Sequence, residues 1–353
     1  MRKKLSIAEP SISAYSWQST VLAILQTDKR CDDWIYCNYV QTYSVRRLYY
    51  NCNQFAGELS FYYNLYGSWS FYEYKANPWL DYYKIPRALI ATNYKSIIEF
   101  IIERINNLEY VYLPIEMQYI SAYGNGTGSH TMLIYGYDDE LAEFYCADNF
   151  SHKYGFATVP FVELKEAFDK FDIATLNPEI RNNYTDIYDV CTLKMVEPIW
   201  NQEAFKFHLY KLISDLKEYL LIGDYGLGYR PNKHYVFGIE CYDALADYLN
   251  DALSNKSEYF DYKAFSAFYD HKSLMEKRII YLGSNGFVKD VTRYLSNYQS
   301  LVKDFDILIR KVIKINLKKD HLERDIADLS CNLKIIKQKE AQVLSALLDE
   351  LEQ

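Results

Sequence analysis

What the sequence most plainly lacks is an excess of positive charge: 39 Lys and Arg stand against 47 Asp and Glu, for a net charge of −8. Nucleic acid is held by neutralising phosphates with Lys and Arg, so this balance argues against a nucleic-acid role. Long apolar runs are missing too. No stretch approaches the ~18 consecutive apolar residues that a membrane-spanning helix requires. The basic opening Met1 to Lys4 meets Glu9 and Pro10 before any apolar run develops, which predicts no signal peptide. Paired cysteines are absent: the seven (31, 37, 52, 146, 191, 241, 331) are scattered, odd in number and show no CxxC. That pattern suits reduced thiols in a cytoplasm better than a disulfide framework or a zinc site, and it calls for neither metal nor cofactor. No internal repeat of the solenoid kind is present.

What is there is aromatic. The 37 Tyr, 18 Phe and 5 Trp are far too much packable surface for a disordered chain. The 353 residues make about two domains at ~150 residues each. Trp17, Val21, Ile24 and Leu25 share one helical face, and residues 96–107 read as a helix. The aromatic segments 34–50 and 61–74 fit amphipathic helices better than strands. Then the period changes: 110–117, 130–137, 143–147 and 190–196 are short β-branched or aromatic runs punctuated by GNGTGS at 124–129 and DDE at 138–140. They predict an antiparallel sheet with a hairpin around 137–141, so the fold class is α+β.

Beyond Pro198 the character is helical, over 202–221, 240–253, 259–282 and a long terminal stretch. There Leu301, Phe305, Leu308, Val312, Ile315, Leu322, Ile326, Leu329, Leu333, Ile336, Val343 and Leu347 recur at about 3.5 residues, with Lys319 and Glu340 in skipped positions. A helical hairpin within one subunit explains this, and so does an intermolecular coil joining a homodimer. The expected domains are 1–197 and 198–353.

His130 opens a strand after a Gly-rich loop, and the next strand carries Asp148. With the turn near 138–141 the two lie at similar distances on either side of it. A carboxylate there can bond one imidazole nitrogen and turn the other toward a nucleophile. A histidine simply bonded at a strand end fits the spacing equally. The GNGTGS loop is followed by a strand and not a helix, which weakens a phosphate cradle and suggests a rim beside His130. A nucleophile belongs at a helix amino end, and the sharp helix start near the N-terminus is at Ser16, a position where a serine is otherwise an N-cap. Its rivals are Cys31, beside two Asp residues that would raise its pKa, and Cys37 and Cys52 in aromatic surroundings where a buried thiol is the default.

The stretches Tyr15-Ser16-Trp17-Gln18-Ser19-Thr20-Val21-Leu22-Ala23-Ile24-Leu25, Ser129-His130 through Asp139, and Cys146-Ala147-Asp148-Asn149 together resemble the papain-like cysteine-peptidase fold. More closely, they are similar to the N-terminal domain of the butirosin biosynthesis protein H family, and Tyr235 to Leu245 resembles a stretch of that family's helical second half. The resemblance implies a triad at positions 16, 130 and 148. It also implies acyl transfer from a carrier-protein thioester to a small amine, forming an amide in antibiotic biosynthesis. The family's nucleophile is Cys, whereas this chain has Ser16: a serine nucleophile, an inactive protein and a Cys-to-Ser variant are the three readings. The Gln that papain-type enzymes place ahead of the nucleophile is missing, with Pro10 and Ser11 there instead, so an oxyanion would fall to the backbone at the helix start, to Gln18 or to another side chain.

The sequence therefore predicts a cytoplasmic acyl or peptidyl transferase in which residue 16 attacks, His130 relays the proton and Asp148 orients His130. A peptidase or amidase using the same residues and a catalytically dead binding protein are the alternatives. An acidic carrier would need a basic patch on this acidic chain, for which Lys3-Lys4 and Arg46-Arg47 are the candidates, and the Tyr-rich segments 34–74 can line an acyl pocket.

Overall fold

The computed structural model describes residues 1–45, 59–61, 63–65, 68–70, 77–150, 153–172, 189–197, 205–221, 235–254, 260–318 and 322–353. In chain order its elements begin β1 (Arg2–Lys4), α1 (Ser16–Leu25), α2 (Asp32–Cys37), β2 (Thr42–Val45), β3 (Leu59–Phe61), β4 (Tyr63–Leu65), β5 (Ser68–Ser70) and β6 (Leu80–Ile85). Then come α3 (Arg87–Asn93), α4 (Ile97–Asn106), β7 (Tyr110–Glu116), β8 (Ser129–Asp138), β9 (Glu143–Phe150), β10 (Lys153–Pro160), α5 (Phe161–Asp169) and β11 (Val190–Met195). The last are α6 (Leu209–Leu220), β12 (Tyr235–Phe237), α7 (Cys241–Ser254), α8 (Lys263–Ser284), α9 (Val291–Lys318) and α10 (Leu322–Leu351). Helices and antiparallel sheet coexist, so the chain is α+β. It divides into two compact units, Met1–Cys31 with Glu73–Phe205, and Asp32–Tyr72 with Lys206–Gln353. The chain crosses between them three times, and the boundary expected near 197 lies close to the last crossing, but residues 32–72 belong with the C-terminal unit. No helix among the described residues is long and apolar enough to cross a membrane.

The first unit is built on a sheet of order β10-β9-β8-β7-β11-β6, each strand antiparallel to its neighbours. Strand alternation sorts its side chains. Val111, Leu113 and Ile115 of β7, Met132 and Ile134 of β8 and Phe144 and Cys146 of β9 are buried in one core with Phe100, Ile101 and Ile105 of α4 and Leu164 and Ala167 of α5. The other face of β8 and β9 carries α1, which is buried at every position but Trp17. β7 pairs with β8 from Ser129 to Ile134, and β1 takes over from Gly136 to Asp138. Gly136 is needed there: a Cβ would stand 2.6 Å from the Lys3 carbonyl oxygen. The expected strands and the 96–107 helix are present, while β1, β6, β10, α3 and α5 were not foreseen.

The second unit corrects the reading of the aromatic segments. Among the described residues of 34–50 only those of α2 are helical. The chain then turns through Tyr39 at φ 60 and enters β2, and the described residues of 61–74 lie in β3, β4 and β5 rather than in a helix. The physical reason is that α2 is closed from outside. The buried Arg278 guanidinium of α8 donates to the Tyr36 carbonyl at 2.8 Å and to that of Asn38, satisfying carbonyls that a helix end leaves open. Aromatic residues past such a stop favour extended pairing, here in the sheet β12-β2-β3 and the pair β4-β5.

The expected C-terminal helices are present, with residues 201–204, 255–259 and 319–321 outside the described ones. The heptad stretch is two helices, α9 and α10. Lys311 meets Asp328 at 2.6 Å and Lys339 meets Asp304 at 3.1 Å, so they run antiparallel, as a hairpin within the chain. Leu301, Phe305, Leu308, Val312, Ile315, Ile326, Leu329, Leu333 and Ile336 are buried in the seam. Past Ile336 the buried line runs through Glu340, Leu344, Leu347 and Leu351 rather than Val343. A carboxylate can hold a seam position because Lys272 reaches it, at 2.6 Å with both side chains fully buried.

Candidate active site

Ser16 is the first residue of α1, and Tyr15 precedes it in extended conformation without a side-chain cap. The Ser16 hydroxyl is not an N-cap. It projects to the sheet, 3.1 Å from the Tyr112 hydroxyl of β7 and 3.2 Å from the Thr131 hydroxyl of β8. Tyr112 and Thr131 also bond each other, closing a triangle of hydroxyls. Burial pushes the Tyr112 phenol up, above the ordinary tyrosine range, so it stays protonated.

One residue along β8, the His130 Nδ1 meets Asp148 Oδ2 at 2.8 Å and the Thr131 carbonyl oxygen at 3.0 Å. Both are acceptors, so Nδ1 carries the proton and Nε2 is left as the basic nitrogen. The Asp148 side chain is 1% exposed and that of His130 30%, a buried anchor under a ring that solvent reaches. Tyr123, delivered by the short turn Ser121–Tyr123 ahead of the glycine loop, donates its hydroxyl to the same Asp148 oxygen. Burial, then the Asp148 charge, hold the Tyr123 phenol well above its usual range, which keeps it a donor.

A single extra residue makes the His–Asp contact possible. The β8–β9 register runs Asp138↔Glu143 and Gly136↔Tyr145, then shifts at a bulge to Ile134↔Cys146 and Leu133↔Ala147. Continued without the bulge, Asp148 would pair with Leu133, leaving His130 on the opposite face. The extra residue, Tyr135 on β8, re-phases that strand, so that His130 and Met132 share the face of Asp148. The same alternation sends Thr131, not His130, toward Ser16. The structure thus joins His130 to Asp148 and sets Ser16 against the neighbouring residue, while the hydrogen-bond partners of the Ser16 hydroxyl are Tyr112 and Thr131.

The rival nucleophiles sit differently. Cys37 is buried, and burial pushes its thiol up to about 11. Cys31 is buried at the end of a short turn, and Cys52 lies outside the described residues. Gln18, considered for an oxyanion, is 1% exposed. The basic candidates for a carrier dock are engaged: Lys3 donates to the Asn106 carbonyl at 2.9 Å, and the Lys4 ammonium stands 4.4 Å from the Tyr145 ring centre. Arg46 and Arg47 lie outside the described residues. No cluster of three metal-ligating side chains occurs among the described residues.

Tyr112, Thr131 and Tyr123 were not singled out from sequence. Thr131 carries a signal in hindsight, as the neighbour of His130. The two tyrosines carry none among 37. Set beside known proteins, the chain matches no family model and no curated protein.

Proposed function

We propose that the chain is a papain-like acyl transferase that moves an acyl group from a carrier-bound thioester to a small amine. The observation that carries this reading is the 2.8 Å His130–Asp148 bond one residue from Thr131, whose hydroxyl is 3.2 Å from Ser16 at a helix start. Residue 16 attacks the thioester carbonyl, and its proton passes to His130 Nε2. The C–S bond breaks, and the leaving thiolate takes that proton. An amine then attacks the acyl-enzyme, loses its proton to His130 and leaves as an amide, restoring residue 16. Asp148 holds the ring and offsets the imidazolium charge formed in each half. At rest the Ser16 hydroxyl bonds Tyr112 and Thr131, and His130 alternates to the other face of β8, so the proton step requires the start of β8 to rearrange when substrate binds. The carrier thioester and the amine come from the resemblance to the butirosin biosynthesis protein H family.

A second reading, a papain-like scaffold that binds without reacting, draws on the same resting contact and on Ser in place of Cys. Intact-mass measurement separates them. Wild type and Ser16→Cys are incubated with acetyl-N-acetylcysteamine, a small thioester, and then with an amine. The transferase reading expects an acetyl adduct on residue 16, its loss in His130→Ala, and amide on adding amine. Adduct in neither protein supports the binding scaffold, and free acid without amide at saturating amine assigns hydrolysis instead.

A further inference from the structure

We infer that Tyr112 is a catalytic residue, the hydroxyl donor that stabilises the oxyanion formed when residue 16 attacks its acyl donor. The inference rests on the acyl-transfer reading above.

Acyl transfer passes through a tetrahedral intermediate whose former carbonyl oxygen carries a full negative charge. Donors fixed in advance around that oxygen are commonly the largest single contribution to the rate. The papain-type Gln ahead of the nucleophile is absent here, since Pro10 and Ser11 occupy that region. The Tyr112 hydroxyl lies 3.1 Å from the Ser16 oxygen. In a tetrahedral adduct the oxyanion is separated from the attacking oxygen by the adduct carbon alone, so a donor in contact with one can reach the other.

Its mounting suits the role. Tyr112 sits in a strand with partners on both sides, opposite Leu133 on β8 and Cys191 on β11, and the side chain is 8% exposed. A group held this way costs little reorganisation when charge appears. Burial keeps the phenol protonated, so it meets the oxyanion with a proton to share. Thr131 contacts both Tyr112 and Ser16 and can accept or donate as needed. At rest each of the three hydroxyls can donate to one neighbour and accept from the other. When a carbonyl enters, the phenol, the most acidic of the three, turns its proton to the developing charge. It donates a hydrogen bond only: as the C–O bond forms, the π pair moves to oxygen, and as the C–S bond breaks that pair returns. Tyr112 keeps its proton throughout, and the nucleophile's proton travels through His130.

The test compares Tyr112→Phe with its parent, in wild type and in Ser16→Cys, using acetyl-N-acetylcysteamine as probe and intact mass to time acylation of residue 16. The expected result is a fall of about 10²–10³-fold in the acylation rate with the half-saturating thioester concentration unchanged, the loss typical of one oxyanion donor. Tyrosine fluorinated beside the hydroxyl, placed at 112, donates more strongly in nearly the same shape and should raise the rate. That response would not follow from a purely structural hydroxyl, and it stands even where Tyr112→Phe fails to fold. Rates unchanged in both substitutions, with residue 16 still acylated in the parents, would overturn the inference and leave the transferase reading intact. Parents in which residue 16 never acylates would overturn both.

Discussion

Replacing Glu340 by Gln should destabilise the second unit by about 3–5 kcal/mol, the usual cost of stranding one member of a buried ion pair. The structure makes the case severe. Glu340 and Lys272 are both fully buried, 2.6 Å apart. The carboxylate also accepts from Tyr298 at 2.8 Å, Tyr242 at 2.5 Å and Tyr219 at 3.2 Å. Lys272 has the Tyr219 hydroxyl at 3.0 Å and His271 Nδ1 at 2.9 Å, neither of which carries a compensating negative charge. Gln keeps the shape and one acceptor but removes the charge, so an ammonium is left in a protein interior without its counter-ion. For a unit of this size the loss corresponds to roughly 6–20 °C in Tm. Two units rarely unfold as one, so the assay should read the second unit directly. Native-state hydrogen exchange of α8 and α10 amides does so. Adding Lys272→Met to Glu340→Gln should recover at least half of the lost protection, because the stranded cation is gone. Unchanged protection in Glu340→Gln, or a double variant that pays the sum of both single losses, would refute the reasoning.

His271 is fully buried, donates Nε2–H to the Val40 carbonyl at 2.9 Å, and has its pKa held well below the ordinary 6.5 by burial and then by Lys272. The unfolded chain therefore binds the proton first, so stability is whole above pH 6.5 and falls as pH drops, by up to about 1.4 kcal/mol per unit from this group. Exchange protection of α8 measured from pH 7.5 to 5.5 should show that slope, and His271→Gln should flatten it. Brief iodoacetamide treatment near neutral pH should label the exposed Cys331 while sparing Cys37, whose buried thiol is raised to about 11, and Cys146 and Cys241, fully buried and raised by the same cause; peptide mapping reads the order. Asp148→Asn should slow thioester acylation of residue 16 by about 10²-fold or more, yet less than His130→Ala, since an amide oxygen can still accept from His130 Nδ1; equal losses in the two variants would count against an orienting role.

Local order accounts for what was legible in the sequence. The 3.6-residue pattern of 17–25 and 96–107, the period of two in 110–117 and 130–137, and the turn residues between them act within a few residues, so those elements and the hairpin joining β8 to β9 could be read directly. The seam from Leu301 to Ile336 was legible for the same reason, though not which chain covers it. Tertiary structure decided the rest. The aromatic stretches after Cys37 are compatible with either period, and it is Arg278, far along the chain, that ends α2 and lets β2 begin. Val343 fits the heptad count, but past Glu340, which Lys272 partners in the seam, the buried line runs to Leu344. In the site, His130 and Asp148 are close along the sequence, but whether they share a face depends on one bulge residue, because each step along a strand reverses the side chain's direction. No local pattern encodes that parity, nor the arrival of Tyr112 and Tyr123 from other segments. The residue types at 16, 130 and 148 were set by sequence, and their relation in space by the pairing of β7, β8 and β9 under α1.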